Sequence, residues 1–230
     1  MSAILFGSIS TIADTSELQR QAFNQAFQAH GLDWNWSRAE YLKMLEKSGG
    51  QNRIADYADS IGQTVDIKAI HRSKSEFFQN SLTNSQVKPR FGVVETIQGA
   101  KNKGLKIAFV TTTSQENISM LMAALQPSIQ VTDFDLILND SSVARPKPDK
   151  AAYTFALEKL GESSADCIAI EDNLGGVEAA ISAGIYCVAF PNINTAHHDF
   201  KRADRVVDRL NFEELENFLP IIKQREHRVI

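Results

Sequence analysis

Five short apolar runs set the frame of this chain: ILF at 4–6, KIAFV at 106–110, DLIL at 135–138, CIAI at 167–170 and CVAF at 187–190. Each has the length of a buried strand and gives way to small polar residues. From residue 88 onward the runs alternate with segments of helical periodicity, at about 115–125, 151–160 and 176–183, the last closed by Gly184. Alternation of this kind predicts a parallel sheet covered by helices on both faces, with polar loops gathered at the carboxyl ends of the strands. The expected fold is α/β, a doubly wound, Rossmann-like core.

Between the first two runs the rhythm changes. Leu18, Ala22, Phe23, Ala26 and Phe27 recur at helical spacing until Gly31, and Ser16-Glu-Leu-Gln19 has the form of a capping box. WSRAEYLKMLEK, NRIADYADSIG and DIKAIHRSKSEFFQNSL continue the pattern with no strand signal, and SGGQNR at 48–53 is the Gly-rich break among them. Two domains follow: an α/β core from 1–15 and 88–230, and an inserted helical cap from 16–87. Trp34, Trp36 and Tyr41 read as packing for the cap, because no basic stripe accompanies them as it would in a base-stacking platform.

Charge narrows the partners. Twenty-four basic against 28 acidic residues give a net charge of −4, with no Lys/Arg block to meet a polyanion, so no nucleic-acid partner is expected. No apolar stretch reaches the length of a membrane span, and the N-terminus lacks a basic region followed by an apolar core and a cleavage site. No membrane partner and a cytoplasmic location are therefore expected. Cys167 and Cys187 each begin an apolar run and read as reduced core thiols. His30, His71, His197, His198 and His227 are scattered in the sequence and read as surface or loop residues rather than ligands.

The strand ends carry the chemistry. KIAFV ends in Thr111-Thr112-Thr113-Ser114. The loop after DLIL contains Arg145-Pro146-Lys147-Pro148, and CIAI ends in Glu171-Asp172-Asn173. In a parallel sheet these points converge on one crevice, where hydroxyls, a lysine and a carboxylate pair suit a phosphate and a divalent cation. Bland roles compete with these, namely helix capping for the hydroxyl and carboxylate clusters and a surface position for Lys147.

FVTTTS, VARPKPDKAAYTFALEKLG and IAIEDNLGGVEAAISAG, in that order and with a cap ahead of them, resemble the motifs of the haloacid dehalogenase superfamily of phosphohydrolases. The cap position is that of its subfamily I, and AFNQAFQAHGLDWNWSRAEYLKMLEKSGGQNRI resembles the CbbY / β-phosphoglucomutase-like group. The resemblance implies a first motif, D-x-D-G-T/V, at the end of the first strand. Its first Asp attacks phosphorus, and its second protonates the leaving oxygen. It also implies Mg²⁺ at the acidic motif (Glu171, Asp172), a phosphoryl grip by Thr111, Thr112 and Lys147, and no organic cofactor. In the cap it implies substrate contacts from the loop holding Gly50, Gln51 and Arg53, with Gln51 where the group commonly has a lysine that holds a distal phosphate.

The first motif departs from that pattern. In gapless register Gly7 stands at the nucleophile, Ile9 at the acid/base and Ser10 at the following glycine. Gly7 has no side chain and Ile9 cannot exchange a proton. Asp14 matches the hinge into the cap, not the nucleophile. By analogy with a serine protease stripped of its nucleophile, the deficit is on the order of 10⁶-fold in rate. The expected protein is a phosphatase relative that keeps a phosphate-ester pocket, with little or no turnover, for a small phosphorylated metabolite or inorganic phosphate. The expected Mg²⁺ site is weakened and Lys147 is left without its acidic partner, free to bind an anion with Thr111 and Thr112. The alternatives are an active Mg²⁺-dependent phosphohydrolase or phosphomutase using an activated water or another nucleophile, and a protein acting through its surface. The residues name no protein partner.

Overall fold

The computed structural model describes residues 3–46 and 49–218. Ser48 of the cap loop and His227 lie outside them. Six parallel strands form one sheet in the order β3-β2-β1-β4-β5-β6. They are β1 Ala3–Phe6, β2 Lys106–Val110, β3 Leu136–Leu138, β4 Cys167–Glu171, β5 Tyr186–Ala189 and β6 Arg205–Val206. The Leu5 position faces Ala108 on one side and Ala169 on the other, so β1 is central. The strand order reverses between β1 and β4, which in an open α/β sheet places the crevice beyond their carboxyl ends.

All four residues of β1 are buried, and alternate side chains enter different cores. Ile4 and Phe6 join Val93, Ile97, Phe109, Ile118 and Leu121, whereas Ala3 and Leu5 join Ala156, Leu160, Val177 and Ala180. The period of two explains why a three-residue apolar run suffices: each residue fills one of two covered faces. Cys167 and Cys187 are buried and unbridged on the second face. No helix among the described residues is long and apolar enough to cross a membrane.

Between β1 and β2 lie α1 (Ile9–Ile12), α2 (Ser16–Ala29), α3 (Arg38–Met44), α4 (Gly50–Ser60), α5 (Ile67–Asn84) and α6 (Val93–Asn102). Helices α2 to α5 build a cluster of their own from Phe23, Phe27, Trp34, Trp36, Tyr41, Ile54 and Ile70. Trp36 stands 4.6 Å from Phe27 and 4.9 Å from Phe23, ring to ring, so the tryptophans do pack the cap. The cap is not insulated from the core, because Ala22, Phe78 and Leu82 belong to the β1 cluster.

The capping box expected at Ser16–Gln19 is absent: Thr15 is the N-cap of α2 and makes no side-chain cap bond. A capping box does form at Ser37–Glu40, opening α3. Helices α7 (Gln115–Leu125), α8 (Ala151–Leu160) and α9 (Leu174–Ser182) complete the cover of the sheet.

Candidate functional site

The chain leaves β1 at Phe6, and the Gly7 amide still donates to the Ile170 carbonyl at 2.9 Å. Ser8 then caps α1, accepting from the Thr11 amide. The alternation of a strand therefore does not continue through this loop. Ile9 lies in the first turn of a helix, 6% exposed, and belongs to the main hydrophobic cluster. The position matched to the acid/base is filled by an apolar group anchored in the core. Asp14 is exposed and accepts from the Ser16 amide at 3.1 Å.

Lys147 and Glu171 meet beneath Gly7. The Lys147 ammonium donates at 2.6 Å to each of three acceptors: the Gly7 carbonyl, the Val110 carbonyl and Glu171 Oε1. The Tyr153 hydroxyl donates to the same Oε1 at 2.7 Å. Glu171 is fully buried, its Oε2 has no hydrogen-bond partner, and burial pushes its carboxyl upward against the pull of Lys147. The same burial, with the carboxylate nearby, pushes the Tyr153 phenol well above its ordinary value.

Two glycines make room for this arrangement. A Cβ on Gly7 would lie 2.0 Å from Glu171 Oε1, and one on Gly176 would lie 2.1 Å from its Oε2. The Glu171 carboxylate thus occupies the space that a side chain at Gly7 would need. The expectation that Lys147 has lost its acidic partner is corrected here, because Glu171 supplies one. An ammonium has three N–H groups, and all three are engaged, so Lys147 is not free to bind an anion as expected.

Asp172 completes the acidic pair but faces elsewhere. It is 3% exposed and accepts from the Ser8 hydroxyl at 2.5 Å, Thr11 Oγ1 at 3.3 Å, Asn173 Nδ2 at 3.1 Å and Asn192 Nδ2 at 3.3 Å. The Asn173 side chain, not Glu171 or Asp172, caps α9. For the Mg²⁺ that the resemblance implies, this donor set fits poorly. Mg²⁺ needs near-octahedral oxygens at about 2.0–2.1 Å with several waters retained. Here Glu171 Oε1 is committed to Lys147 and Tyr153 and its Oε2 is sealed in the interior against Gly176, Asp172 meets four donors, and Gly7 has no carboxylate to give.

Thr111 is buried at the end of β2, with its hydroxyl accepting from the Thr113 amide at 3.2 Å. Thr112 is half-buried beside it. Ser114 is the N-cap of α7, so part of the hydroxyl run serves the helix. Thr111, Lys147 and Glu171 come from the ends of β2, β3 and β4 and converge beside Gly7 at the end of β1, whereas Gly50, Gln51 and Arg53 stay in the cap at the start of α4. Gln51 is exposed. The Arg53 guanidinium lies 5.4 Å from the Tyr41 ring centre, and its Nε donates to the Met44 carbonyl at 3.2 Å. Gly50 backs onto His71, whose Nε2 is 2.6 Å from where a Cβ would stand.

The cap contributes groups that the motifs do not point to. Lys74 is 5% exposed, donates to Gln19 Oε1 at 3.1 Å and lies 5.0 and 4.9 Å from the Phe23 and Phe78 rings. Burial, helped by Arg53, pulls its amine down to about 7. Burial with Lys74 and Arg53 pulls the His71 imidazole down to about 4. Gln19 in turn donates to Thr15 Oγ1 at 3.3 Å, so the chain of contacts runs to the hinge. Arg90, where the chain re-enters the core, donates to the Ser10, Phe190 and Pro191 carbonyls and stacks 3.4 Å from the Phe190 ring.

The signal for Lys74 was available: it occupies one place in the four-residue spacing of Ile70, Phe78 and Leu82 along α5. Tyr153 offered no such signal, since an aromatic in α8 reads as core. A cleft of about 530 Å³ opens between cap and core, lined by Glu46, Asn52, Asp56, Pro148, Leu174, Gly175 and Glu178. A hollow of about 600 Å³ at the β5–β6 edge carries none of the motif residues.

Comparison with known proteins accords with this architecture. The family profile described as haloacid dehalogenase-like hydrolase matches residues 6–190. The chain is 38% identical over 218 residues to protein CbbY of Cereibacter sphaeroides, covering 93% of each chain. It is 25% identical over 186 residues to a phosphorylated carbohydrates phosphatase of Thermotoga maritima, covering 80% of this chain and 82% of that one. A crystal structure of CbbY from Rhodobacter sphaeroides in complex with phosphate superposes with a TM-score of 0.84 at 37% identity, over 94% of this chain and 96% of that one. A mutant of the same protein in complex with xylulose-(1,5)bisphosphate gives 0.83 at 37% identity, over 91% and 94%.

Proposed function

The chain belongs to the haloacid dehalogenase-like hydrolase family, and we propose that it is a sugar-phosphatase relative that binds a phosphate ester without ordinary turnover. Members of this family generally use Mg²⁺. The observation that carries the reading is the Glu171 carboxylate standing 2.0–2.5 Å from the Cβ that Gly7 lacks. With no carboxylate at Gly7 and an apolar Ile9, neither attack on phosphorus nor protonation of a leaving group has a side chain to perform it. Lys147 and Glu171 neutralise each other where the phosphoryl group of a working enzyme would be gripped.

The grip on the ligand then falls to other groups. Lys74 is buried with an amide and two aromatic faces as its neighbours, and the groups that shift it include no carboxylate. With Arg53 close by and His71 neutral beside it, the cap offers the positive charge of Lys74 and Arg53 to an anion. Desolvated charge of that kind is costly unless a counter-charge arrives, and the phosphate of a small sugar phosphate supplies one. Thr111 and Thr112 hold the core side of the same ligand. The fold's likeness to CbbY bound to phosphate and to a sugar bisphosphate supports this ligand class.

Calorimetry of a sugar phosphate with and without Mg²⁺ tests the reading. Binding is expected to be unchanged by Mg²⁺ removal and to weaken at least tenfold in Lys74→Met. An absolute Mg²⁺ requirement, or binding untouched by Lys74→Met, contradicts it.

A further inference from the structure

The loop that follows β5, residues 191–200, ties the acidic motif to the cap. Asn192 donates to Asp172 at 3.3 Å, and Asn194 reaches Asp14 at 3.4 Å while accepting from Arg38 of α3. Further along the same loop, the rings of His197 and His198 stand 4.4 Å apart. Glu46, just past the end of α3, approaches them from the cap, and the ligand atoms of all three residues lie within 4.8 Å of one another.

His198 sets this cluster apart from a chance meeting of surface groups. It is 8% exposed, yet neither ring nitrogen makes a hydrogen bond. The Leu42 backbone faces the ring without completing a hydrogen bond to it. A buried polar group without a partner carries an uncompensated desolvation cost. Neutral imidazole is also a ready ligand for zinc-class ions, and a backbone carbonyl on its other nitrogen is the usual orienting contact.

We propose that Glu46, His197 and His198 form a transition-metal site of the Zn²⁺ class that clips the cap to the core. Two imidazoles and a carboxylate suit Zn²⁺, Co²⁺ or Ni²⁺ rather than Mg²⁺, and water completes the fourth position. Tetrahedral bonds of about 2.0–2.1 Å put ligand atoms about 3.3 Å apart. From a separation of at most 4.8 Å, the three groups need to close by no more than about 1.5 Å. Glu46 and His197 are exposed and can turn to do so, while buried His198 stays fixed. Occupancy would hold α3 against the loop that carries Asn192 and Asn194, linking cap position to the Asp172 end of the site.

The test uses the full chain without an affinity tag, titrated with Zn²⁺ by calorimetry and with Co²⁺ by visible absorption. One ion per chain and a tetrahedral Co²⁺ spectrum are expected, with affinity falling at least tenfold in each of Glu46→Gln and His197→Gln. Both substitutions are at exposed positions and leave the core intact. Absence of one-to-one binding overturns the site. Affinity retained in either variant overturns it too, because the ion would then be held without the cap carboxylate or without the paired imidazoles.

Discussion

Replacing Gly7 by alanine puts a single methyl group where the Glu171 carboxylate now lies. The added Cβ would be 2.0 Å from Oε1 and 2.1 Å from Cδ. To restore an ordinary contact near 3.4 Å the carboxylate has to withdraw by about 1.4 Å, the scale of shift that overpacked cores are forced to make. That stretches its 2.6 Å bond to Lys147 and its 2.7 Å bond from Tyr153 past useful length. Hydrogen bonds to charged groups contribute about 1.5–3 kcal/mol each, so Gly7→Ala is expected to cost about 3 kcal/mol. For a chain of this size that is a fall in Tm of roughly 6–12 °C by differential scanning calorimetry. A double-mutant cycle isolates the contact between the two positions. Glu171→Ala alone strands a buried ammonium and is expected to cost about 3–5 kcal/mol, but once it is in place Gly7→Ala adds almost nothing, because the methyl has open space. If Gly7→Ala is harmless in the wild type, or equally costly in both backgrounds, the carboxylate does not fill the Gly7 space and the account of the site fails.

Three further outcomes follow from the cap. The gap between 10.5 and about 7 for the Lys74 amine caps the cost of burying its charge at about 4–5 kcal/mol at neutral pH. Since its contact with Gln19 is lost as well, Lys74→Met is expected to stabilise by about 2–3 kcal/mol at pH 7, with the gain shrinking as pH rises towards 10.5, where the unfolded lysine also loses its proton; denaturant melts at several pH values read this. His71, neutral when folded, supports stability above pH 6.5, and that share is lost as pH falls towards about 4. His71→Gln is expected to flatten the acid limb of the stability profile between those values. An anion bound beside Lys74 favours its charged form, so sugar-phosphate binding at pH 8 is expected to take up close to one proton, seen as a dependence of the calorimetric heat on buffer ionisation enthalpy.

The fold was open to reading because its signals are local. The run KIAFV became β2 at the residues named, Ala151–Leu160 became α8, and CIAI gained only Glu171. The interiors of β1, β2, β4 and β5 are apolar and buried on both faces, and α7, α8 and α9 follow β2, β3 and β4, whereas the exposed two-residue β6 carried no such signal. The convergence of Thr111, Lys147 and Glu171 was legible for the same reason, as loops at the carboxyl ends of parallel strands must meet. What escaped was pairing. A missing side chain is visible in a sequence, but which neighbour enters the space is decided by three-dimensional packing between Gly7 and Gly176, which are far apart in the chain. Lys147 read as a free cation because its partner was assigned to a metal. Tyr153 lies within the lysine motif and Gln19 within a helix-start pattern, but neither pattern names the partner, because these contacts, like those of the His197–His198 pair, reach across elements.

The central claim is that this pocket has exchanged phosphoryl chemistry for an internal Lys147–Glu171 pair. It is tested most directly by single-turnover phosphate release from a panel of sugar phosphates with Mg²⁺, comparing the wild type with Gly7→Asp/Ile9→Asp. In the double variant an aspartate at position 7 competes for Lys147 and drives Glu171 out towards Asp172, re-creating an acidic site for the cation. The account expects no Mg²⁺-dependent release by the wild type and measurable release by the double variant. Mg²⁺-dependent release by the wild type that is lost in Asp172→Asn would contradict it, for the pocket would then be a working phosphatase with a different nucleophile.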